Sequence, residues 1–300
     1  MPHAIRGVHC AVTTPVDADG NPLPDLMLDH CRALLEEGCH GLSPIGTTGE
    51  ANSLGLSQRM GLLEALIEGG LDASVLAPGT GTPSASDTIA LTRHAVRAGC
   101  KAAMLLPPYY YKDVSVDGLY RHYAQVIEGV GDDRLRLMLY HIPQTSIVGI
   151  PHDLIDRLMT DFPGIVCAIK DSSGDLSNMV AMCERFPDLS VLTGADVLFW
   201  DLLKAGGAGC ITGVSNLRSD ALRFVWDNWQ DPAQAEAVAR AMARLKAWRD
   251  LAQSFPQLPA TKSMVARARG DDRWHATLPP LDPLTDAQCA ALYAGMDALD

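Results

Sequence analysis

The chain has 300 residues, of which 47% are hydrophobic and 20% are charged, and its formal net charge is −12 at neutral pH. This composition is typical of a folded globular protein and excludes a disordered or fibrous chain. The acidic balance, without any run of basic residues, argues against nucleic acid and against an anionic membrane surface as partners.

The cellular compartment and the redox state follow from the same composition. No apolar segment approaches the roughly 20 residues that a membrane-spanning helix needs, so we expect a cytoplasmic protein. The eight cysteines include no Cys-x-x-Cys pair and mostly lie in apolar runs, which favours reduced, buried thiols. The adjacent pairs His9–Cys10 and Cys39–His40 lack a third ligand at metal spacing, and we predict neither a metal nor a cofactor.

Short apolar runs that end in Gly, Pro, Ser or Thr alternate with amphipathic stretches, which indicates repeated β/α units. Each run is almost continuously apolar, as expected for parallel strands that are buried on both faces. The eight predicted strands are Val8–Thr14, Gly41–Thr47, Ser74–Thr80, Lys101–Pro107, Leu135–Ile142, Ile165–Asp171, Ser190–Ala195 and Ala208–Val214.

The stretches between these runs have apolar residues at helical spacing. In the first of them, Asp25 is predicted to cap the first turn and Gly38 to supply the left-handed residue that ends the helix. The predicted helices are Asp25–Gly38, Ser57–Gly69, Ser84–Gly99, Asp117–Gly129, His152–Asp161, Asp175–Phe186 and Val197–Ala205.

Eight strands, each followed by a helix, at intervals of roughly 25 to 35 residues predict an α/β protein with a (β/α)8 (TIM) barrel, and the eight repeats disfavour an open doubly wound sheet. Helical segments near the C-terminus, including Ala233–Ala252 and Thr285–Leu299, exceed what the eighth barrel helix needs. We therefore predict a catalytic barrel in residues 1–225 and a C-terminal helical extension in residues 226–300, with an oligomer contact as its expected role.

Lys170 is the reactive side chain that the predicted barrel fold places at an active-site position. Active sites of such barrels lie at the C-terminal ends of strands, and Lys170 is the one lysine of six that ends a predicted strand. Alternation places Lys170 on the face of Val166 and Ala168. Desolvation of a lysine at a barrel mouth favours the neutral amine, which attacks carbonyls to form Schiff bases. The alternative is a lysine that only pairs with Asp171, which we otherwise expect to cap the following helix.

Three motifs follow other predicted strands. The turn Gly46–Glu50 (GTTGE) combines two glycines with two hydroxyls and can cradle a small carboxylate, although a plain polar turn is the commoner case. Tyr140 ends the strand before that of Lys170, where a phenol can relay a proton; an ordinary rim tyrosine is the alternative. The run Pro107–Tyr111 predicts a stiff loop over the barrel mouth or at a subunit contact.

These motifs, together with Ile169–Asp175, Thr193–Asp196 and Gly209–Thr212, fall in the order and spacing of the dihydrodipicolinate synthase and N-acetylneuraminate lyase family. The resemblance spans essentially the whole predicted barrel. It implies a class I aldolase or lyase that binds pyruvate or another 2-oxo acid as a lysine imine. It also implies a homotetramer built as a dimer of dimers.

The resemblance further implies roles for individual residues. Lys170 falls on the Schiff-base position, Tyr140 on the proton-shuttling tyrosine and Thr47 on the hydroxyl that links the shuttle. Thr48 falls on the position that holds the pyruvyl carboxylate. Tyr110 matches the tyrosine that, in synthases of this family, reaches across a dimer interface into the neighbouring site.

Further substrate-binding residues follow from the same resemblance. Ile211 matches a residue whose backbone lines the pyruvate pocket, and Gly194 lies in one of the shared motifs. Gln144 and Thr145 are expected to contact the distal half of the substrate. The polar residues that suit a hydroxylated substrate are Gln144, Thr145, Ser172, Ser173, Thr193 and Ser215.

The sequence departs from the synthase pattern after the fifth strand. Biosynthetic synthases usually carry a Gly-Arg pair after the proline there, whereas this chain has Pro143–Ser146 (PQTS). Loss of an arginine–carboxylate contact costs on the order of 2 to 5 kcal/mol if nothing replaces it. The lysine-pathway reaction is therefore disfavoured, and the residues from Lys170 to Asp175 resemble members that act on 2-keto-3-deoxy sugar acids.

The sequence predicts a lyase that forms or cleaves a C–C bond next to a pyruvyl imine, with a 2-keto-3-deoxy sugar acid or a related hydroxy-oxo acid as substrate. One alternative is a 2-keto-3-deoxy acid dehydratase that uses the same imine. Another is 4-hydroxy-tetrahydrodipicolinate synthase. A keto-acid sensor without turnover is the alternative from a different class.

Overall fold

The computed structural model describes residues 5–299, so residues 1–4 and 300 of the two predicted domains lie outside the described range. The chain forms two compact units. The first, called unit 1 below, comprises the segment up to Gly7 and Asp72–Ile211. The second, called unit 2, comprises Val8–Leu71 and the segment from Thr212 onward.

Strands and helices alternate along the described chain. The strands are β1 Gly7–Ala11, β2 Gly41–Ser43, β3 Ala103–Leu105, β4 Leu137–His141, β5 Val166–Asp171, β6 Ser190–Thr193 and β7 Gly209–Thr212. The α-helices are α1 Pro24–Glu36, α2 Leu56–Glu68, α3 Ala85–Arg97, α4 Val116–Val130, α5 Pro143–Ser146, α6 His152–Asp161, α7 Leu176–Arg185, α8 Phe199–Lys204, α9 Ser215–Asn228, α10 Ala235–Gln253, α11 Gln257–Arg269 and α12 Asp286–Leu299.

Unit 1 is built on a parallel ladder in the order β7, β6, β5, β4, β3. Leu139 and Ile169 on one face of this ladder pack with apolar residues of the helices, such as Tyr123 and Leu158, in one buried cluster. Burial of each such side chain contributes about 1.5 to 3 kcal/mol. The helices therefore cover one face and leave the face of Lys170 for the site.

The backbone approaches closely at the start of β7. The amide of Gly7 donates a hydrogen bond to the carbonyl of Ala208, at 2.8 Å. A Cβ on Gly209 would lie 2.1 Å from the carbonyl oxygen of Gly7. Only glycine permits this approach, which explains why the predicted strand carries a glycine there.

A bulge in β5 corrects one predicted face. Leu137 pairs with Val166, but the next residue of β4 pairs with Ala168, so Cys167 is the extra residue. Val166 consequently packs with Leu137 in the helix-side cluster. The prediction that Val166 shares the face of Lys170 is wrong, because one extra residue reverses the alternation below Ala168.

The third predicted strand, Ser74–Thr80, is reduced to an isolated parallel bridge between Gly79 and Met104. Its first half forms a 3-10 turn, Ala73–Val75. Pro78 has no amide hydrogen and accepts a hydrogen bond from the Met104 amide without returning one. The segment thus follows β3 in a parallel direction without forming a regular strand.

Helix α1 shows how the predicted ends differ in detail. Its N-cap residue is Leu23, no side chain caps the first turn, and Pro24 occupies a first-turn position that needs no amide donor. Asp25 lies inside the first turn, where its charge favours the helix dipole, so the predicted capping role is wrong. Gly38 has a φ of +120°, as predicted for the residue that ends the helix.

Unit 2 contains β1 paired in parallel with β2, together with α1, α2 and α9 to α12. Trp248 of α10, Met264 of α11 and Leu292 of α12 pack in one buried cluster. Helix α11 was not predicted, because the polar Lys262 and Ser263 are buried along with its apolar residues. A helix that is buried on all sides lacks the amphipathic pattern that a sequence reveals.

Two features of the structure bear on expectations from composition, namely the state of the cysteines and the apolar character of the helices. All eight cysteines are free thiols and five of them are buried, as predicted. Among residues 5–299, no helix combines the length and the apolar character that crossing a membrane requires.

His30 of α1 is a buried imidazole whose tautomer the structure fixes. Its Nδ1 accepts a hydrogen bond from Arg269 Nε at 3.1 Å, so its Nε2 carries the proton and donates to Asn216 Oδ1 at 3.1 Å. Burial, and secondarily the positive charge of Arg269, lowers the pKa of His30 to about 3.

We expect the free energy of unfolding to decrease as the pH falls below about 6.5, because the unfolded chain then binds a proton at His30 that the folded chain does not bind until about pH 3. Between pH 6.5 and pH 5 this group accounts for about 2 kcal/mol. Urea unfolding at both pH values should show a smaller pH dependence for His30→Gln than for the wild type. An equal dependence in the two proteins would contradict the assignment.

Candidate active site

Lys170 and Tyr140 lie side by side at the C-terminal ends of two neighbouring strands. They are register partners in the parallel pairing of β5 with β4, which puts both side chains on one face. Lys170 Nζ lies 4.3 Å from the centre of the Tyr140 ring. Lys170 is 5% exposed and Tyr140 is 3% exposed, so the lysine nitrogen and the phenol are removed from bulk solvent.

Asp171 does not pair with Lys170. Its Oδ1 accepts a hydrogen bond from the Ser173 amide at 2.7 Å, and its Oδ2 accepts one from Asn178 Nδ2 at 2.7 Å. Within residues 5–299, Lys170 makes no ion pair. The structure therefore disfavours the alternative in which Lys170 serves only as a salt-bridge partner of its neighbour.

The carboxylate of Asp171 instead anchors the loop that follows Lys170. Because Asn178 Nδ2 donates to Asp171, Asn178 Oδ1 faces His152 Nε2, at 2.9 Å. The Gly194 amide donates to the backbone carbonyl of Asp171 at 2.7 Å. The N-cap of α7 is Asp175, whose side chain accepts from two backbone amides, so the predicted capping role of Asp171 is wrong.

Two of the expected substrate-binding residues, Gln144 and Gly194, lie against Ser172, two positions after Lys170. Gln144 Nε2 donates to the Ser172 carbonyl at 2.7 Å. A Cβ on Gly194 would lie 1.9 Å from Ser172 Oγ, so this approach requires glycine. Thr145 follows Gln144 in α5 and is exposed.

Two other polar residues that were expected to suit a hydroxylated substrate, Thr193 and Ser215, form hydrogen bonds within the fold. Thr193 Oγ1 donates to a backbone carbonyl two residues later, at 3.0 Å. Ser215 Oγ lies 2.7 Å from Thr212 Oγ1 and donates to the carbonyl of His9 at 3.2 Å. Both hydroxyls are buried and already form hydrogen bonds within the fold. The side chain of Ile211 in β7 is fully buried.

In unit 2, the Gly46–Glu50 turn follows β2. The Glu50 amide donates to the Thr47 carbonyl at 3.1 Å and closes the turn. Thr14 Oγ1 donates to the carbonyl of the second glycine of the turn at 2.9 Å. Thr47 and Thr48 are partly exposed, whereas the other three residues of the turn are buried. The turn therefore presents two threonines from a fixed backbone.

The Pro107–Tyr111 segment forms a loop, as predicted, and its last two residues are exposed. Tyr110 is 72% exposed and Tyr111 is 71% exposed, and their rings meet edge to face with centres 5.3 Å apart. Lys112 Nζ donates to the carbonyl of Ser146 at 3.0 Å and ties the loop to α5. Two large aromatic rings thus lie on the surface of unit 1.

A separate cavity of about 400 Å³ lies in unit 1. Its wall includes His141, Ile147 and Asn178, and the described residues that line it include none of the predicted catalytic or substrate-binding residues. His141 Nδ1 accepts a hydrogen bond from the Ile150 amide at 2.9 Å, and burial lowers the pKa of His141. In the described part of the chain, no three His, Cys, Asp or Glu side chains are arranged to hold a metal ion.

Comparison with known proteins decides the family. The dihydrodipicolinate synthetase family model matches residues 4–298. The chain is 34% identical to an uncharacterized DapA-like lyase of Chloroflexus aurantiacus, over 98% of this chain and 97% of that protein. The chain belongs to the dihydrodipicolinate synthetase family. It is accordingly an enzyme, a lyase, as the sequence predicted.

Solved structures agree with this assignment. Dihydrodipicolinate synthase from Agrobacterium tumefaciens has a TM-score of 0.89 and 31% identity, with 98% of this chain and 99% of that chain covered. The E. coli K12 prophage protein YagE, solved in complex with pyruvate, has a TM-score of 0.87 and 25% identity, with 98% of each chain covered. The predicted α/β fold class, a (β/α)8 barrel, is confirmed.

We expect Asp171→Asn to lower the free energy of unfolding by about 1 to 3 kcal/mol, because the new amide group must face one of two partly buried donors. The matched control is Asp175→Asn, which keeps an acceptable N-cap residue and should change stability little. Urea unfolding of both variants at neutral pH provides the measurement. Equal stability of the two variants would show that the two hydrogen bonds of Asp171 contribute nothing.

Proposed function

We propose that this lyase binds pyruvate or another 2-oxo acid as an imine of Lys170 and forms or cleaves the C–C bond next to that imine. The main support is the position of Lys170, which is buried at a strand end beside the Tyr140 ring and is not engaged by Asp171. A lysine in such surroundings is a suitable nucleophile for a ketone.

In the proposed reaction, the uncharged amine of Lys170 attacks the ketone carbon, and the resulting carbinolamine loses water to give the imine. For cleavage, the C–C bond breaks toward the imine, which accepts the electron pair, and an aldehyde leaves. Tyr140 removes the proton of the substrate hydroxyl, and the hydroxyl of Thr47 is part of the same proton relay. Thr48 binds the carboxylate of the 2-oxo acid through its hydroxyl and amide.

We assign the distal half of the substrate to α5, the short helix that follows β4. Gln144 and Thr145 are exposed there, and no arginine occupies the Pro143–Ser146 segment. This supports a hydroxylated chain, such as that of a 2-keto-3-deoxy sugar acid, over the carboxylate that 4-hydroxy-tetrahydrodipicolinate synthase would bind. The backbone of Ile211 and Gly194 completes the proposed pocket.

A dehydratase that uses the same imine is the remaining alternative among enzymes. It eliminates water from a 2-keto-3-deoxy acid and releases neither pyruvate nor an aldehyde. Product analysis with one such acid separates the two reactions, because only the lyase releases free pyruvate and an aldehyde.

The assembly, the location and the domain roles are also proposals. We propose a cytoplasmic homotetramer, a dimer of dimers, in which Tyr110 reaches into the neighbouring subunit's site. The 72% exposure of Tyr110 in the single chain leaves it available for such a contact. We further propose that residues 1–225 supply the catalytic barrel and that residues 226–300 form a helical extension to it.

We expect borohydride to trap a pyruvate adduct on Lys170 of the wild type and no adduct on Lys170→Ala, because only a primary amine at that position forms the imine. Intact-mass and peptide-mass measurements locate the adduct. Lys204→Ala removes an exposed lysine of the same unit and should retain the adduct. An adduct of normal yield on Lys170→Ala would remove the proposed mechanism.

For Tyr140→Phe we expect imine formation and turnover to slow by about 100-fold or more, because the ring remains but the proton relay is lost. Stopped-flow trapping with borohydride and steady-state release of pyruvate measure the two steps. The thermal unfolding temperature should change little, since the aromatic ring still fills its place. Unchanged rates would show that the phenol has no part in the reaction.

A further inference from the structure

A buried ion pair involves the last residue of the Gly46–Glu50 turn in unit 2, which is called the threonine turn below. Lys262 Nζ donates to Glu50 Oε1 at 2.6 Å, and the side chains of both residues are fully buried. The second carboxylate oxygen, Glu50 Oε2, accepts a hydrogen bond from the Leu278 amide at 2.6 Å. Glu50 is the last residue of the Gly46–Glu50 turn, whereas Lys262 lies in α11.

Glu50 holds an unusual backbone conformation. Its φ of +54° and ψ of +30° lie in the left-handed region, which a residue with a side chain seldom adopts without support. Its amide closes the turn on the Thr47 carbonyl, so the conformation of Glu50 fixes the direction of the turn. The contacts of its carboxylate with Lys262 and Leu278 supply the support.

Stability alone does not explain the pair. Removing two charges from water offsets most of their attraction, so a buried ion pair is often no more stabilising than apolar residues of similar volume. Burial lowers the pKa of Lys262, and the Glu50 carboxylate opposes this shift, so the charge on Lys262 depends on Glu50. What the pair provides is a defined position for the residue that ends the turn.

We propose that the Glu50–Lys262 pair positions Thr47 and Thr48, so that the turn presents the Thr48 hydroxyl and amide to the carboxylate of the 2-oxo acid. Both residues are positioning residues, since the Glu50 carboxylate is turned toward the Leu278 amide and α11, and the Lys262 side chain is turned toward Glu50. The inference rests on the proposed function. It adds that α11, which no motif of the sequence indicated, determines how tightly the carboxylate is bound.

The test uses two variants that nearly preserve side-chain volume, Lys262→Met and Glu50→Gln, with borohydride trapping on Lys170 as readout. We expect the pyruvate concentration for half-maximal trapping to rise by about tenfold or more in each variant, while trapping at saturation is retained. Acetone serves as a probe that has the carbonyl and lacks the carboxylate. Its trapping should be the same in the variants and in the wild type.

Met264→Ala is the matched control for general damage to α11. Met264 lies on the same helix and is fully buried in the apolar cluster with Trp248 and Leu292. We expect this variant to lower the thermal unfolding temperature and to leave half-maximal pyruvate trapping unchanged. A shift in trapping as large as that of Lys262→Met would assign the effect to loss of stability and overturn the inference.

The remaining outcomes separate this inference from the proposed function. If the wild type forms no pyruvate adduct, the proposed function fails, and the inference fails with it. If the wild type forms the adduct and both variants trap pyruvate normally, or lose pyruvate and acetone trapping equally, the pair does not position the carboxylate-binding turn. If Lys262→Met does not fold, Glu50→Gln decides, because its amide oxygen can still accept from the Leu278 amide.

Discussion

The register between β4 and β5 is the constraint on which the candidate active site depends. It aligns Tyr140 with Lys170 and brings the ring within 4.3 Å of the Lys170 nitrogen. Because side chains alternate along a strand, a shift of one residue would turn Lys170 toward the helices and Ile169 toward Tyr140. The bulge at Cys167 reverses the alternation below this point and leaves the upper register intact. The chemistry of the site therefore depends first on backbone hydrogen bonding.

Two buried carboxylates support the backbone next to residues that we propose to act on the substrate. Asp171 follows Lys170 and binds the start of its loop and Asn178 of α7. Glu50 ends the threonine turn and binds Lys262 and the Leu278 amide. In each case both carboxylate oxygens accept hydrogen bonds within the fold, which satisfies a charge that is costly to bury. Both carboxylates thus hold the backbone and are themselves fully engaged.

Much of the fold could be predicted because its apolar runs and amphipathic stretches have the lengths of parallel strands and covering helices. Prediction failed where that pattern was absent. Helix α11 carries buried polar residues, among them Lys262, whose partner Glu50 is far away in the sequence. The segment Ser74–Thr80 has the apolar character of a strand, but a turn and Pro78 limit it to a bridge. The Thr193 hydroxyl, which the sequence suggested for contact with a substrate, donates a hydrogen bond within the fold.

The sequence by itself determined the fold class, the family and the candidate lysine, because strand periodicity and a set of spaced motifs are local properties of the chain. The tertiary structure decided which polar groups are available. It showed that Asp171 is engaged away from Lys170 and that Lys262 is fully buried on Glu50. The first pairing joins a strand to the helix that follows it, and the second joins residues that are far apart in the sequence. Their geometry is set by how the elements pack, and no periodicity in the sequence records it.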